Sequence, residues 1–270
     1  MITAGFRSAD KRDEEFIWGK ERQGRNLKIL ALDSSGLVAS VALAEDDNLI
    51  AEYTVQYKKT HSQTLLPMLE EIGRMVELDL STVDAIAVAA GPGSFTGLRI
   101  GSATAKGLAF ALGKPVIPVP TVDGLAFQMY GAKDLVCPIM DARRSQVYTG
   151  IYEFLSDQTG RSAYDMRVIR EQCAVSFDEI AEALNELDRS VIFLGDGVPV
   201  FRERMEEVMR VPYTEAPLHR ARQSAAALAS LGRLYYEQGR TVDGEAFAPD
   251  YLRLSQAERE RAEKEREVSQ

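Results

Sequence analysis

Leu27-Lys28-Ile29-Leu30-Ala31-Leu32-Asp33 runs into Ser34-Ser35-Gly36, then Val38-Ala39-Ser40-Val41-Ala42-Leu43-Ala44, then Glu45-Asp46-Asp47-Asn48, then Leu49-Ile50-Ala51-Glu52-Tyr53-Thr54-Val55-Gln56. Three short runs rich in Val, Ile, Leu and Tyr, broken by turn chemistry, read as three consecutive hairpin-linked strands. Upstream the pattern is absent. Residues 1–26 scatter Arg, Lys, Asp and Glu around Phe16, Ile17 and Trp18 with neither a two-residue nor a 3.6-residue period, which predicts a loose N-terminal extension.

Downstream, Leu65, Leu69, Ile72 and Val76 form one apolar stripe of a helix. Pro67 leaves two starts open: Thr64 caps the helix with Pro67 in its first turn, or an earlier start is kinked there. A buried strand at 85–90, a glycine-rich loop, a helix over 95–112 and a strand at 116–119 follow. The second half repeats this grammar, with strands at 135–141, 147–154 and 166–170, a helix over 177–187, a strand at 191–194 and a helix over 198–209. A last strong helix spans 224–238. The expectation is a duplicated α/β fold of two βββαβα lobes, 27–120 and 121–254. Residues 256–270 hold five Glu against four Arg or Lys, so 255–270 reads as a charged, solvated tail.

The 270 residues include 32 Lys plus Arg against 41 Asp plus Glu, a net charge of −9. With 45% hydrophobic and 27% charged residues, the chain is an ordinary globular protein and not a disordered, collagen-like or disulfide-scaffold one. An acidic excess repels polyphosphate, so a nucleic-acid role requires a partner. Cys137 and Cys173 lack metal-ligand or redox spacing and read as inert buried thiols of a reducing cytoplasm. No run approaches the roughly 18 residues of a membrane span, and 1–26 lacks the apolar centre of a secretion signal. The expected location is the cytoplasm.

Asp33 and Asp141 end strands at equivalent places in the two halves and could hold magnesium over a cleft, or could simply start turns. Gly91-Pro92-Gly93-Ser94-Phe95-Thr96-Gly97-Leu98-Arg99 lies between a buried strand and a helix. It either receives an anion on free N–H groups or is a structural turn capped by Ser94. It is not a Walker loop, because the Gly-Lys-Ser/Thr ending is missing. Gly97, Gly101, Ala105 and Ala109, four apart, make a shallow ridge that fits either the protein's own sheet or a helix of another subunit. Met68 and Met75 are compatible with an adaptable interface or with core filling. His61 and His219 are the only histidines, which argues against a zinc-protease site, and His61 reads best as a helix-start hydrogen bonder. No Ser or Cys has a nucleophile context. Gly195-Asp196-Gly197 fits a strand-to-helix turn or a ligand approach.

Several motifs together resemble the TsaB family: Leu30-Ala31-Leu32-Asp33-Ser34-Ser35, His61-Ser62-Gln63-Thr64-Leu65-Leu66-Pro67-Met68, the 91–99 loop, Asp141-Ala142-Arg143 with Val147-Tyr148, and Pro249-Asp250-Tyr251-Leu252-Arg253. The similarity spans about 27–260, with 91–99 its most specific part.

The resemblance implies the duplicated actin-like ATPase (RNase H-like) fold. It also implies a non-catalytic subunit, not a protease, which pairs as a heterodimer with TsaD, the catalytic paralogue. With the ATPase TsaE, that complex threonylcarbamoylates the adenosine beside the tRNA anticodon. The chain would then carry no intrinsic cofactor, with ATP and metal belonging mainly to its partners, and would meet tRNA only through the complex. On this reading Leu66, Met68, Met75, Gly97, Arg99, Gly101 and Ala105 supply the partner face, and Asp33, Ser34 and Asp141 mark a vestigial nucleotide cleft. A homodimer through the same helices, in the partner's absence, and an autonomous phosphotransferase using Asp33 and Asp141 are the other readings. Two departures stand out: Ser145-Gln146 replaces a more usual Gly and Glu, and Gly36 replaces a common Thr or polar residue.

Overall fold

The computed structural model describes residues 26–156 and 164–253, so the N-terminal extension up to residue 25 and the charged tail lie outside the described residues. Lys28–Asp33 (β1), Ala39–Glu45 (β2) and Asn48–Val55 (β3) form an antiparallel meander in which Lys28 faces Glu45 and Asp33 faces Ser40. After the helix His61–Met75 (α1), Ala85–Ala89 (β4) joins the other edge of β1 in parallel. Phe95–Leu112 (α2) leads to Val116–Val119 (β5), parallel to β4. The sheet order is β3-β2-β1-β4-β5.

Past a short helix, Thr121–Phe127 (α3), the chain does the same again. Leu135–Asp141 (β6), Gln146–Ser156 (β7) and Tyr164–Ser176 (β8) form a meander. Phe177–Glu186 (α4), Val191–Leu194 (β9), Val198–Val208 (α5) and Tyr213–Glu215 (β10) follow. This sheet is ordered β8-β7-β6-β9-β10, with β6–β9 and β9–β10 parallel, so the halves match strand for strand. The expected duplicated α/β fold, with two sheets of matching strand order, is present. β8 is longer than the stretch 166–170 read from sequence, and α3 and β10 had no counterpart there.

Side-chain alternation along the strands sorts the apolar residues into three cores. Leu30 and Leu32 of β1 meet Leu65, Met68, Leu69 and Ile72 of α1 and Ala105 and Ala109 of α2 on the outer face of the first sheet. Ile29 and Ala31 point the other way, into a middle layer with α3, Ala225–Glu237 (α6) and the inner residues Val136, Met140 and Tyr152 of the second sheet. Leu135, Cys137 and Ile139 of β6 face α4 and α5 on the far side. Although α6 belongs to the second half in sequence, it packs on β1, β2, β4 and β5 of the first sheet. Its N-terminus is satisfied from that sheet: Glu52 Oε1 accepts from Ser224 Oγ (2.7 Å) and Ala226 N–H (3.1 Å), and Ser40 Oγ accepts from Ala225 N–H (2.9 Å).

Between the lobes, Asp123 of α3 accepts from Tyr152 Oη (2.7 Å) on β7 and Tyr235 Oη (2.9 Å) on α6. A buried carboxylate is tolerated there because both oxygens are hydrogen-bonded. Burial nonetheless holds its pKa above the usual carboxylate value. Of the two starts open for α1, the structure takes the earlier one. Thr60 precedes the helix, its N–H donating to Gln63 Oε1 (3.3 Å), and Pro67 lies inside, where it denies the Gln63 carbonyl its helical donor. Cys137 is buried, with its thiol pushed up to about 12 by desolvation, whereas Cys173, expected to be buried too, is half-buried because it sits on β8 at the sheet edge.

Candidate functional site: the cleft between the lobes and the helical face beside it

The C-terminal ends of β1 and β4 in one lobe and of β6 and β9 in the other open onto a cleft of ≈ 610 Å³. The first lobe lines it with Ser35, Gly36, Tyr57, Lys58, Lys59 and His61 and with Pro92 to Phe95 of the glycine-rich loop. The second lobe adds Asp141, Arg143, Tyr148 and Asp196. Open α/β sheets place their ligand crevices at such strand ends.

The first turn is locked from within. Asp33 Oδ1 accepts from Ser35 N–H (2.9 Å) and Ser35 Oγ (2.6 Å), and Asp33 is 3% exposed, behind the cleft wall and not on it. Burial raises its pKa, opposed by the Ser35 hydrogen bonds and by His61. His61 Nε2 lies 2.9 Å from the Gly36 carbonyl, so that nitrogen carries the proton and ties the start of α1 to the turn. This is the hydrogen-bonding role expected of His61. Gly36 lies against the end of the Gln223 side chain, whose Nε2 is 2.4 Å from where a Cβ would sit, a contact that a shift of that flexible side chain would relieve.

The glycine-rich loop closes onto that turn. Ser94 N–H donates to the Ser35 carbonyl (2.7 Å), Ser94 Oγ caps Gly97 N–H (3.3 Å), and Ser34 Oγ donates to the Gly97 carbonyl (2.8 Å). A Cβ at Gly93 would lie 2.4 Å from the Ser35 carbonyl oxygen, and one at Gly97 2.0 Å from that of Ser34. These glycines admit the chain's own backbone. The loop is a turn capped by Ser94. The second lobe shows the same economy: Asp141 Oδ1 accepts from Arg143 N–H (2.8 Å), its Oδ2 pairs with Arg143 (2.9 Å), and Asp141 N–H donates to Asp196 Oδ1 (3.2 Å). Burial raises the Asp196 pKa. Among the described residues no group of three or more His, Cys, Asp or Glu is placed to hold a metal ion.

The residues expected at a partner interface divide. Leu66 (54% exposed) and Met75 (68%) of α1 lie open, and Arg99 is exposed with its guanidinium 4.1 Å from the Phe95 ring centroid. Met68, Gly97, Gly101 and Ala105 face inward, which corrects the expectation for them. Met68 is in the outer core, Gly97 and Gly101 press on Ser34, and Ala105 is fully buried. The small-residue ridge lets α2 sit close to its own sheet. Spacing could not choose between two surfaces that both demand small residues. Phe110, 83% exposed on α2, is an apolar side chain of this outer face that the ridge argument missed. Tyr57, Lys58 and Lys59 of the cleft were missed as well, because none sits in a recognisable motif, and Arg253 was named only as part of the 249–253 family motif, with no place in the cleft. Asp196 was signalled only by its flanking glycines.

Three comparisons bear on this arrangement. The family model for TsaD, tRNA N6-adenosine threonylcarbamoyltransferase, matches residues 48–261. The tRNA threonylcarbamoyladenosine biosynthesis protein TsaB of Bacillus subtilis is 35% identical over 234 residues, 86% of this chain and 96% of that protein. The Haemophilus influenzae TsaB is 32% identical over 238 residues, 85% and 94% of the two chains. Among solved structures, YeaZ from Pseudomonas aeruginosa superposes with a TM-score of 0.68 at 31% identity, covering 84% of this chain and 100% of that one. The duplicated strand order and this likeness along nearly the whole described chain place the protein in the TsaB family, with its duplicated actin-like fold.

Proposed function

We propose that the chain serves tRNA threonylcarbamoyladenosine biosynthesis as a pairing and assembly subunit. It binds TsaD through the outer face of α1 and α2, supports recruitment of TsaE, and leaves ATP, metal and chemistry mainly to those partners. It reaches tRNA only through the complex and acts in the cytoplasm. The observation that carries this reading is the exposure of Leu66, Met75 and Phe110 on the helices of one layer. Large apolar side chains left in water are what a partner surface offers.

The geometry gives the pairing a physical form. The buried side of each helix is fixed by the sheet beneath it, so the outer side chains are held on rigid elements and lose little freedom when covered. Arg99, planar and held against Phe95, adds a charged hydrogen-bond donor at the N-terminal end of α2. Among the described residues no helix is long and apolar enough to cross a membrane.

The test is reconstitution from purified parts: TsaD, TsaE, threonylcarbamoyl-adenylate and unmodified tRNA, with and without this chain. The proposal expects modified adenosine by mass spectrometry only when the chain is added. Equal product without it refutes the assembly role. The phosphotransferase reading is disfavoured by the position of Asp33 behind Ser35. ATP turnover by the chain alone, abolished by Asp33→Asn, would restore it.

A further inference from the structure

The segment 242–253 crosses from one lobe to the other along the cleft. Its first half is moored to the first lobe. Val242 exchanges both backbone hydrogen bonds with Val116 of β5 (2.9 Å each), Gly244 sits against Ala109 of α2, and Phe247 is buried in the outer core. Asp250 N–H then donates to the Ala90 carbonyl (2.7 Å) at the end of β4. The Asp250 carbonyl occupies the space beside Gly91, where a Cβ would lie 2.2 Å from it. Tyr251 packs on Phe95 with ring centroids 5.0 Å apart.

Within the same few residues the chain takes hold of the second lobe. Gln172 Nε2 on β8 donates to Asp250 Oδ2 (3.3 Å), and the Arg253 guanidinium donates to the Ala142 carbonyl and, at 3.5 Å, to that of Arg143. Tyr251, Leu252 and Arg253 thereby form one wall of the cleft. The lobes otherwise meet through the packed middle layer around α3 and α6, including the lead-in to α6, where the Ala221 carbonyl and the Arg222 guanidinium hydrogen-bond Gly195 of the second lobe (3.0 and 2.7 Å). Packed helices can slide by small shears, and a layer contact alone leaves the angle between two lobes free to vary. A second attachment at the cleft removes that freedom.

We propose that residues 249–253 are a strap that fixes the angle between the lobes and closes the cleft on one side, with Tyr251 seated on the first lobe and Arg253 fastened to the second. The inference concerns the isolated chain and stands or falls independently of the pairing with TsaD.

The experiment is a pulsed electron-spin distance measurement on the full chain. Labels are placed at Glu70→Cys on α1 and Glu182→Cys on α4, both exposed, with Cys137 and Cys173 replaced by Ala. The strap predicts one narrow distance. It predicts that Tyr251→Ala with Arg253→Ala shifts the mean and at least doubles the width, while the circular dichroism spectrum is kept. An unchanged distribution in the folded variant overturns the proposal. Should that variant fail to fold, amide exchange on the unmodified chain decides. Protection of the Asp250 amide comparable to that of the β6–β7 turn supports the strap, and exchange at Asp250 as fast as in an unstructured peptide refutes it.

Discussion

Ser34 and Gly97 hold each other in both directions: Ser34 Oγ donates to the Gly97 carbonyl at 2.8 Å, and the Ser34 carbonyl oxygen fills the place where a Gly97 side chain would begin, 2.0 Å from its Cβ. Gly107, on the exposed side of the same helix, has nothing within 4 Å of its would-be Cβ. The same substitution should therefore have opposite signs at the two sites. Gly97→Ala is expected to cost about 3 kcal/mol by forcing backbone apart. Gly107→Ala is expected to gain about 1 kcal/mol from helix propensity. Urea unfolding of both variants checks the pair, and a neutral Gly97→Ala would contradict the close approach.

Asp123 makes stability depend on pH in an unusual direction. Burial raises its folded-state pKa above the unfolded value, outweighing the hydrogen bonds from Tyr152 and Tyr235. Between those two values the folded chain binds more protons than the unfolded one, so this group's contribution is full below the unfolded pKa and is lost as pH rises through the folded pKa. Unfolding free energies of wild type minus Asp123→Asn should fall as pH rises from about 4, and a flat or rising difference would rule this out. Tyr152→Phe, which leaves one buried carboxylate oxygen without its donor, should cost about 1–3 kcal/mol at neutral pH.

Arg143, Arg144 and Ser145 have φ of 64°, 57° and 58°, three successive non-glycine residues in the left-handed region. Each carries a steric cost of roughly 1–2 kcal/mol. Ser145 lies in the region that glycine adopts without a Cβ clash, so Ser145→Gly should raise stability by about 0.5–1 kcal/mol after the entropy lost by glycine on folding is deducted. Ser145→Val should lower it. Thermal unfolding of the two variants measures both, and an identical midpoint for all three proteins would contradict the turn conformation.

Most of the strands, the stripe of α1 and the extent of α2 were legible because their apolar runs are bounded by Gly, Ser, Asp and Asn turn residues or, in α1, repeat at helical spacing. The helix α3 was not. All seven of its residues, Thr121–Phe127, are buried, so it presents no polar face and therefore no period. β10 has three residues and exists only through its pairing with β9. Of the candidate site, the turn at Asp33, the loop and Asp141 could be named, since Gly and Asp at strand ends carry local signals. Their relation could not be read. Whether Gly93 and Gly97 face a ligand or the backbone of Ser34 and Ser35 depends on two segments some 60 residues apart, and sequence spacing does not report that approach.

The outer face of α1 and α2 carries the central claim, and its variants separate pairing from folding. Phe110→Asp and Met75→Asp alter exposed side chains and should leave unfolding within about 0.5 kcal/mol of wild type. Ala105→Leu, one turn away but fully buried, should destabilise the chain itself by about 1–3 kcal/mol.

The most direct measurement is light scattering on a size-exclusion column, run on this chain alone, on the chain mixed with TsaD from the same source, and on the Met75→Asp, Phe110→Asp double variant mixed likewise. The account predicts a one-to-one heterodimer for the wild type and separate peaks for the folded variant. A wild-type chain that elutes apart from TsaD, or a double variant that pairs as well as wild type, would contradict it.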